Sequence, residues 1–425
     1  MSPPARLDPA RLDPAVWAPW PGLPDVVAAI ARDGDTTRVV GGAVRNALLG
    51  EPVSDVDLAT TARPETVIAR ARAAGLKAVP TGIDHGTITV VARHHGYEVT
   101  TLREDVETFG RHAVVRFATD WRADAFRRDF TINALYADLD GTIHDYSTGL
   151  ADVVARRVRF IGDAATRIRE DYLRILRFFR FHARYGAGAP DAESLDACLA
   201  HLDGLKTLSA ERIGQEMLKL VAAPNVGTTL ALMHEHLIVE RVARMAVETA
   251  AVPRLHALAA DGRIPGPDPA LLVAALLPVD TDPVEAAFAL WDCWRLSNAI
   301  RDRAAAAART AAAIPALADA RAARVLLYRV GATAWLDGIA LAAARHPPGD
   351  AIAGRWLDWR AIAAANPPPR LPITGKDLVA AGLAPGPAIG AALARAEAAW
   401  EAGDFTSPRS ELLARALSSA DQDQP

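Results

Sequence analysis

The chain has 425 residues, of which 51% are apolar and 23% charged, enough for about two to four domains with buried cores. Its formal net charge of −4 argues against a globally basic nucleic-acid-binding protein, so any RNA-binding surface must come from local clustering. Cys198 and Cys293 lie far apart and lack metal-ligand spacing. This arrangement argues against a disulfide framework or a structural zinc site, and it predicts a reducing, cytoplasmic location.

The predicted elements divide the chain into four ranges. Residues 1–35 are predicted as a helical entry without the apolar segment of a signal peptide. Residues 36–150 alternate between β-branched runs and helical segments, which predicts an α/β domain with a small mixed sheet. Strand signals nearly vanish beyond residue 150, so residues 151–225 and 226–425 are predicted to be all-α. No apolar run approaches the length of a membrane span, and no membrane association is expected.

The most informative stretch is residues 39–60, VVGGAVRNALLGEPVSDVDLAT. A short apolar strand meets a glycine pair and a helix, where backbone N–H groups can approach a phosphate. Asp55 and Asp57 follow with one apolar residue between them, so in a strand both carboxylates project from one face and suit Mg²⁺. A glycine pair alone is usually a turn, and a lone DxD is usually a solvated strand end. Their order predicts phosphoryl or nucleotidyl transfer.

Two further segments bear on this site. Glu98, on the strand GYEVTT, is a candidate third acidic group, although an ordinary exposed strand residue is an equal alternative. In RRDFTINALYAD, residues 127–138, the part after RRDF is predicted as a helix that leads into a hairpin. His144 and Asp145 lie in that hairpin without a further His/Asp series, so they are predicted to be structural and no phosphohydrolase domain is expected.

An arginine-rich helix is predicted over residues 163–185. Between Ala155 and Tyr185 nine arginines face three acidic residues, too unequal a balance for an ordinary solvated face. At about 100° per residue, one face is apolar and the opposite face is charged. The charged face and its flanks carry Glu170, Asp171, Arg174, Arg177 and Arg180.

Asp171 and Arg174, three residues apart, are predicted neighbours on this helix. One interpretation is a set of salt bridges on an amphipathic surface helix. The other is base recognition, because adenine and cytosine each present an amino donor beside a ring-nitrogen acceptor. A carboxylate and an arginine match that pattern and reject guanine and uracil, while Arg177 and Arg180 remain for a triphosphate.

Three motifs carry a resemblance to a known family: GGAVRNALLG…SDVDLAT (41–60), RRDFTINALYAD (127–138) and EDYLRILRFFRF (170–181). A weaker fourth is ERIGQEMLKLV (211–221). As an ordered set, they resemble class II tRNA nucleotidyltransferases (CCA-adding enzymes) and bacterial poly(A) polymerases, within the DNA polymerase beta superfamily. The resemblance implies a catalytic α/β head, a helical neck that recognises the base, and a helical body and tail that bind tRNA.

The resemblance also implies roles for individual residues. Asp55 and Asp57 would hold Mg²⁺, and one departure from the family pattern is Asn46, which stands where the family usually has aspartate. The remaining nucleotide contacts that it implies are Gly42, Arg45, Arg128 (to the sugar or phosphates), Asp171 and Arg174 (to the base), and Arg177 and Arg180.

The activity implied is addition of C, C and A to tRNA 3′ ends from CTP and ATP, by two-metal transfer with release of pyrophosphate. The alternative within the family is a poly(A) polymerase or a partial, A-adding or CC-adding, enzyme. The acidic, Ala-rich C-terminal end favours tRNA, because such poly(A) polymerases often carry a basic extension. A catalytically silent RNA-binding protein is the alternative from another class. No obligate protein partner is inferred.

Overall fold

A computed structural model describes residues 11–109, 112–365 and 369–418. It divides the chain into two compact units, residues 1–238 and 239–425. The first ten residues of the predicted helical entry lie outside the described residues. The four predicted domain ranges remain predictions.

Unit 1 is built on a seven-stranded mixed sheet with strand order β3-β4-β5-β2-β1-β8-β9, and β6 and β7 form a separate two-stranded ribbon. This arrangement confirms the predicted mixed sheet. The strands are β1 Thr37–Val40, β2 Asp57–Thr60, β3 Lys77–Gly82, β4 Thr87–Ala92, β5 His95–Thr101, β6 Arg103–Phe109, β7 His112–Phe117, β8 Leu135–Ala137 and β9 Ile143–Asp145.

The described residues of unit 1 form ten α-helices around and after the sheet, and from residue 149 onward the described part of the chain is helical between its loops, as predicted. The helices are α1 Leu23–Ile30, α2 Gly42–Leu49, α3 Pro64–Ala73, α4 Trp121–Phe126, α5 Gly149–Val154, α6 Ala164–Glu170, α7 Leu173–Tyr185, α8 Ala192–Ala200, α9 Ala210–Val221 and α10 Val226–Glu235.

The segment after RRDF differs from its prediction. A 3₁₀ turn over Thr131–Asn133 leads into strand β8, which pairs with β1 and with β9, so no α-helix forms here. All three residues of β8 are fully buried, including Tyr136. A strand buried on both faces has no alternation of apolar and polar residues, so its sequence resembles a buried helix segment.

The arginine-rich helix predicted over 163–185 is two helices, because the backbone of Asp171 is extended (φ −156°, ψ 106°). The Asp171 carboxylate then accepts a hydrogen bond from the backbone N–H of Leu173, 3.1 Å away, as a capping residue does. The predicted apolar face of α7 is confirmed, since Ile175 and Phe179 are fully buried. The break places Asp171 at the start of α7.

Unit 2 is helical throughout its described residues. Its core includes α13, in which seven of eight residues are buried. The helices are α11 Ile238–Ala243 (which begins at the last residue of unit 1), α12 Ala251–Ala260, α13 Pro269–Leu276, α14 Pro283–Trp294, α15 Asn298–Ala313, α16 Ala320–Ala344, α17 Ala351–Asp358, α18 Arg360–Ala365, α19 Gly375–Ala380, α20 Ala388–Ala402 and α21 Arg409–Leu417.

Helix α16 is long and apolar enough to span a membrane by length and composition, which the sequence prediction did not anticipate. One such helix is weak evidence for a membrane, because core helices of globular proteins meet the same criteria. Gly331 interrupts α16 with non-helical angles (φ 79°, ψ 164°). Beyond it, the buried Asp337 accepts a 2.7 Å hydrogen bond from Arg303 on α15. We therefore interpret α16 as a core helix of unit 2.

Candidate active site

The glycine turn lies beside the second aspartate of the DVD motif. In the antiparallel β1–β2 pair, Asp57 stands opposite Val40, the residue before Gly41. Gly41 has φ 70° and ψ −118°, a conformation that residues with a Cβ rarely adopt, and α2 begins at Gly42. The start of α2 therefore follows within two residues of the position that pairs with Asp57, an arrangement that suits a metal-bound phosphate.

Three carboxylates meet at this end of the sheet. Asp55 and Asp57 are exposed while Val56 between them is buried, which agrees with two carboxylates on one side of the chain. The parallel register of β2 and β5 pairs Leu58 with Val99, so Glu98 lies beside Asp57. Although Asp57 is exposed as a residue, protein around its carboxylate partly excludes water and raises its pKa, and the negative charges of Glu98 and Asp55 raise it further. The charge of Glu98 therefore acts on Asp57 together with the charge of Asp55.

The three carboxylates fit a divalent cation by charge and by donor type, since hard cations prefer oxygen ligands. Their mutual repulsion is the feature that a bound cation would relieve. Within residues 11–109, 112–365 and 369–418, no three His, Cys, Asp or Glu side chains are already gathered as metal ligands.

Arg128 is held against this site by a buried aspartate. The Asp124 carboxylate, 1% exposed, accepts hydrogen bonds from Arg128 Nη2 at 3.0 Å, Arg127 Nε at 2.7 Å and the Tyr136 hydroxyl at 2.7 Å. Burial alone would raise the pKa of Asp124, but these partners outweigh it and lower the pKa to about 2. The positive charge of Arg128 acts on Asp57. Another nitrogen of Arg128, Nη1, lies 3.8 Å from where a Cβ on Gly41 would stand.

Arg45 is buried, with 6% exposure, and points toward α7. Its guanidinium donates to the Tyr185 hydroxyl at 2.7 Å and to the side-chain oxygens of Asn133 and Asn46. It also lies 3.9 Å from the centroid of the Tyr185 ring. Burial lowers the pKa of Arg45. Its Nη2 lies 3.6 Å from where a Cβ on Gly42 would stand, so the side chain borders the glycine turn from inside the protein.

The neck arginines of α7 are each held by a carboxylate. Arg177 binds Asp129 through Nε at 2.7 Å and Nη2 at 2.5 Å, and Arg180 binds Glu216 on α9 at 2.5 Å. Asp129 also accepts a hydrogen bond from the side-chain amide of Asn133, 3.1 Å away. Burial would raise the pKa of Asp129, but Arg177 and these hydrogen bonds lower it overall. The RRDF motif is thereby attached to α7 through its aspartate.

Asp171 and Arg174 are close in sequence but form no ion pair with each other. Asp171 Oδ2 accepts a 2.6 Å hydrogen bond from Arg212 on α9, and Arg174 pairs with Glu170. Arg174 Nη1 also donates to the backbone oxygen of Arg167 at 2.7 Å. The salt-bridge interpretation is therefore correct for Arg174, which pairs with Glu170, but Asp171 and Arg174 do not pair with each other. Both side chains are nonetheless held in place at the start of α7, with lone pairs of Asp171 and other nitrogens of Arg174 left for a ligand.

Four residues that hold the site together were missed by sequence reasoning: Asp124, Asp129, Arg212 and Glu216. Asp124 stands four residues before Arg128, a spacing that is detectable once a helix is assumed. The other three bind partners 36 to 48 residues away along the chain. A local sequence pattern cannot reveal partners that are so far apart along the chain.

Two family models match the chain. One, described as "Poly A polymerase head domain", matches residues 37–159. The other, described as "Probable RNA and SrmB- binding site of polymerase A", matches residues 189–246. The first range contains the sheet with Asp55, Asp57 and Glu98, and the second contains Arg212 and Glu216.

Similar proteins agree with these matches. The chain is 48% identical over 201 residues to the CCA tRNA nucleotidyltransferase 1, mitochondrial, of Danio rerio, covering 47% of each chain. It is 41% identical over 199 residues to the CCA-adding enzyme of Leuconostoc citreum, covering 46% of this chain and 48% of that one. The chain thus spans about half the length of the curated relatives that it matches.

The similarity in fold covers more of the chain than these sequence alignments do. The crystal structure of Bacillus stearothermophilus CCA-adding enzyme in complex with CTP matches with a TM-score of 0.72 and 29% identity, over 92% of this chain and 95% of that one. Motifs, family models and fold point to one group of proteins. They support the resemblance of this chain to class II tRNA nucleotidyltransferases and bacterial poly(A) polymerases.

Proposed function

We propose that this protein is a CCA-adding tRNA nucleotidyltransferase that extends tRNA 3′ ends with C, C and A from CTP and ATP. The observation that carries the proposal is the presence, within unit 1, of both an acidic cluster beside a glycine turn and an Asp/Arg pair at the start of α7. The first suits metal-bound phosphates, and the second suits the base edges of cytosine and adenine.

Asp55 and Asp57, with Glu98 beside them, would hold the divalent ions, and we propose Mg²⁺ because the available donors are all oxygens. Bound there, such ions lower the pKa of a primer 3′-hydroxyl and stabilise the leaving pyrophosphate. Gly42, Arg45 and Arg128 would orient the triphosphate and sugar. Arg45 would act from behind the glycine turn, because it is buried and engaged with Tyr185.

Base selection would come from Asp171 and Arg174. Asp171 accepts from Leu173 N–H through Oδ1 and from Arg212 through Oδ2, so each oxygen keeps a lone pair for an exocyclic amino group. Arg174 is held through Nη1, which leaves its other nitrogens to donate to a ring nitrogen. Uracil and guanine would place a carbonyl against the carboxylate. Arg177 and Arg180 would complete the pocket from behind, through their pairs with Asp129 and Glu216.

The test is extension of tRNA that lacks its 3′ end, supplied with CTP, ATP or both in the presence of Mg²⁺. Ordered addition of C, C and A is the expected result. Unlimited A-addition to generic RNA would instead identify a poly(A) polymerase. Addition of C alone or A alone would identify a partial enzyme, and no incorporation by folded protein would leave the silent RNA-binding alternative. Replacing Mg²⁺ with other divalent ions tests the choice of metal.

We propose a cytoplasmic location, as expected for a chain whose two cysteines, Cys198 and Cys293, are both unpaired. Cys198 lies in α8 and is buried, and Cys293 lies in α14 and is half-buried. One relative named above carries a mitochondrial name, so localisation of the full chain by fluorescent fusion and by fractionation decides between the two compartments.

A further inference from the structure

The charge balance around Phe181 is unequal. Three guanidinium groups surround its ring, with centroid distances of 5.4 Å for Arg45, 5.3 Å for Arg177 and 4.2 Å for Arg180. Arg177 and Arg180 each bind a carboxylate. Among the residues that the structure describes, Arg45 binds none, and its hydrogen-bond acceptors are two amides and a hydroxyl. One positive charge of the cluster is therefore uncompensated.

Asn46 is the reason that Arg45 lacks a carboxylate. The Asn46 side-chain oxygen accepts hydrogen bonds from Arg45 Nε at 3.2 Å and Nη2 at 2.9 Å. An aspartate here, the usual residue of the resembled family, would place a carboxylate against that guanidinium. The Asn46 amide also donates to the backbone oxygen of Pro52 at 2.9 Å, a bond that a carboxylate cannot donate. The contact with Pro52 therefore requires the amide, whereas the contacts with Arg45 require only an oxygen acceptor.

The uncompensated charge lies where a polyanion would approach. Arg45 Nη2 is within 3.6 Å of a Cβ position on Gly42, the first residue of the eight-residue helix α2. The unpaired N–H groups of that helix start face the same turn, and they add a partial positive charge. A buried guanidinium with only neutral partners acts through low-dielectric protein, so screening by salt is weaker than at the surface.

We propose that Asn46 is a positioning residue for the triphosphate of the incoming nucleotide, because it leaves the charge of Arg45 uncompensated behind the glycine turn. The inference rests on the proposed function, and it concerns affinity for nucleoside triphosphates of either base. Since CTP and ATP share the triphosphate, both are affected alike. The Pro52 contact gives Asn46 a second role, in the loop that leads to Asp55.

The test compares N46D with the matched variant N46A, measuring equilibrium binding of CTP and of ATP at several salt concentrations. N46D adds the carboxylate, keeps oxygens that accept from Arg45 and loses only the bond to Pro52, whereas N46A loses the bonds to both Arg45 and Pro52 without adding charge. We expect N46D to weaken the binding of both nucleotides by roughly tenfold at every salt concentration, because a buried charge is only weakly screened. N46A should stay within about twofold of wild type in binding, since charge is the cause.

A double-mutant cycle with R45Q tests whether Asn46 affects nucleotide binding through Arg45. If Asn46 acts through the charge of Arg45, N46D added to R45Q should change nucleotide binding little. Equal binding by N46D and N46A, tighter binding by N46D, a loss confined to one nucleotide, or an undiminished N46D effect in R45Q would each overturn the inference. Thermal unfolding of every variant verifies the fold.

The tRNA extension experiment is separate from these binding measurements. Wild-type protein that binds CTP and ATP but extends no tRNA would contradict the proposed function while the comparison of N46D with N46A still decides the role of Asn46. Wild-type protein that binds neither nucleotide would overturn both.

Discussion

The acidic and basic sides of the candidate site are organised in opposite ways. On the head, Asp55, Asp57 and Glu98 are exposed and repel one another, and within the described chain none forms an ion pair. On the neck, the arginines are held in advance by carboxylates, as are those of the RRDF motif. These pairs are Arg174–Glu170, Arg177–Asp129, Arg180–Glu216 and Arg128–Asp124.

The contrast indicates that the acidic side lacks its counter-charge, whereas the basic side already has it. Like charges that are left unpaired favour binding of a cation, which supplies the missing attraction. Paired arginines keep a fixed geometry, which suits recognition of the shape and donor pattern of a base. The acidic side should therefore tolerate loss of charge in its fold but not in its activity. The basic side should lose specificity or stability when a carboxylate is removed.

The largest expected effect is on the acidic side. D55A, D55N and D57N should each reduce nucleotide incorporation by at least about a thousandfold, because the ions lose a ligand. The free energy of unfolding of D57N should equal or exceed that of wild type, since a repelled charge is removed. Incorporation is measured on truncated tRNA, and unfolding by urea titration. Retained activity in D55A would exclude the metal assignment.

Removal of Asp124 should affect stability most. D124N leaves Arg127 and Arg128 without their buried carboxylate, and we expect a loss of about 3–5 kcal/mol in the free energy of unfolding. The matched control is D33N, at an 81% exposed carboxylate that pairs with Arg70, where the loss should be less than about 1 kcal/mol. Equal losses in the two variants would contradict the structural role of Asp124.

The pH dependence of the free energy of unfolding should also show the contribution of Asp124. The pKa of Asp124 falls from 3.8 to about 2 on folding, so the ionised carboxylate stabilises the fold above pH 3.8. That contribution is lost as the pH falls from 3.8 toward 2, where the folded form also takes up the proton. Urea unfolding between pH 5 and pH 2 should show a steeper decline for wild type than for D124N. Parallel curves would contradict the assignment.

Base choice should change when Asp171 loses its charge. D171N presents both a donor and an acceptor, so uracil and guanine become acceptable. We expect the preference for CTP and ATP over UTP and GTP to fall by about ten- to a hundredfold, the discrimination carried by one good bidentate contact. Incorporation of each of the four nucleotides is measured under one set of conditions. An unchanged preference would remove Asp171 from base recognition.

A smaller effect is expected from Arg212, which donates a hydrogen bond to Asp171 and would act on the base through that carboxylate. R212Q should lower the same preference by a few fold, because the carboxylate is less well oriented. The control is K206Q, on the neck beside α9, where Lys206 and Asp203 are 70% and 84% exposed and no change is expected. A loss as large in K206Q would show that the effect is general to the neck.

How far the sequence predicts this molecule depends on whether each feature is local. The exposed, buried, exposed order of Asp55, Val56 and Asp57 agrees with the DVD spacing, but β2 begins only at Asp57, so Asp55 lies in the preceding loop and not in the predicted strand. The helix predicted after RRDF was wrong because β8 is buried on both faces and lacks alternation. The break at Asp171 was missed because an extended residue between two helical segments leaves the apolar period nearly intact.

Pairing across the chain is the part that local patterns could not predict. Asp129 reaches Arg177, and Arg180 reaches Glu216, through tertiary packing of the RRDF turn, α7 and α9. A functional role for the arginine excess between residues 155 and 185 stays a prediction; Glu170 pairs with Arg174 within that segment, whereas the carboxylate partners of Arg177 and Arg180 lie outside it. Such charges are neutralised only once the fold exists.

The parallel register of β2 and β5 has a consequence for how the protein folds. In the folded sheet, the antiparallel meander of β3, β4 and β5 and the pairing of β5 with β2 bring Glu98 beside Asp57. Contacts that close such a long stretch of chain form slowly, because the chain entropy is lost before the contact stabilises it. A nascent chain that ends before β5 therefore exposes Asp55 and Asp57 without their third carboxylate. Ions present during synthesis should bind weakly until that strand docks.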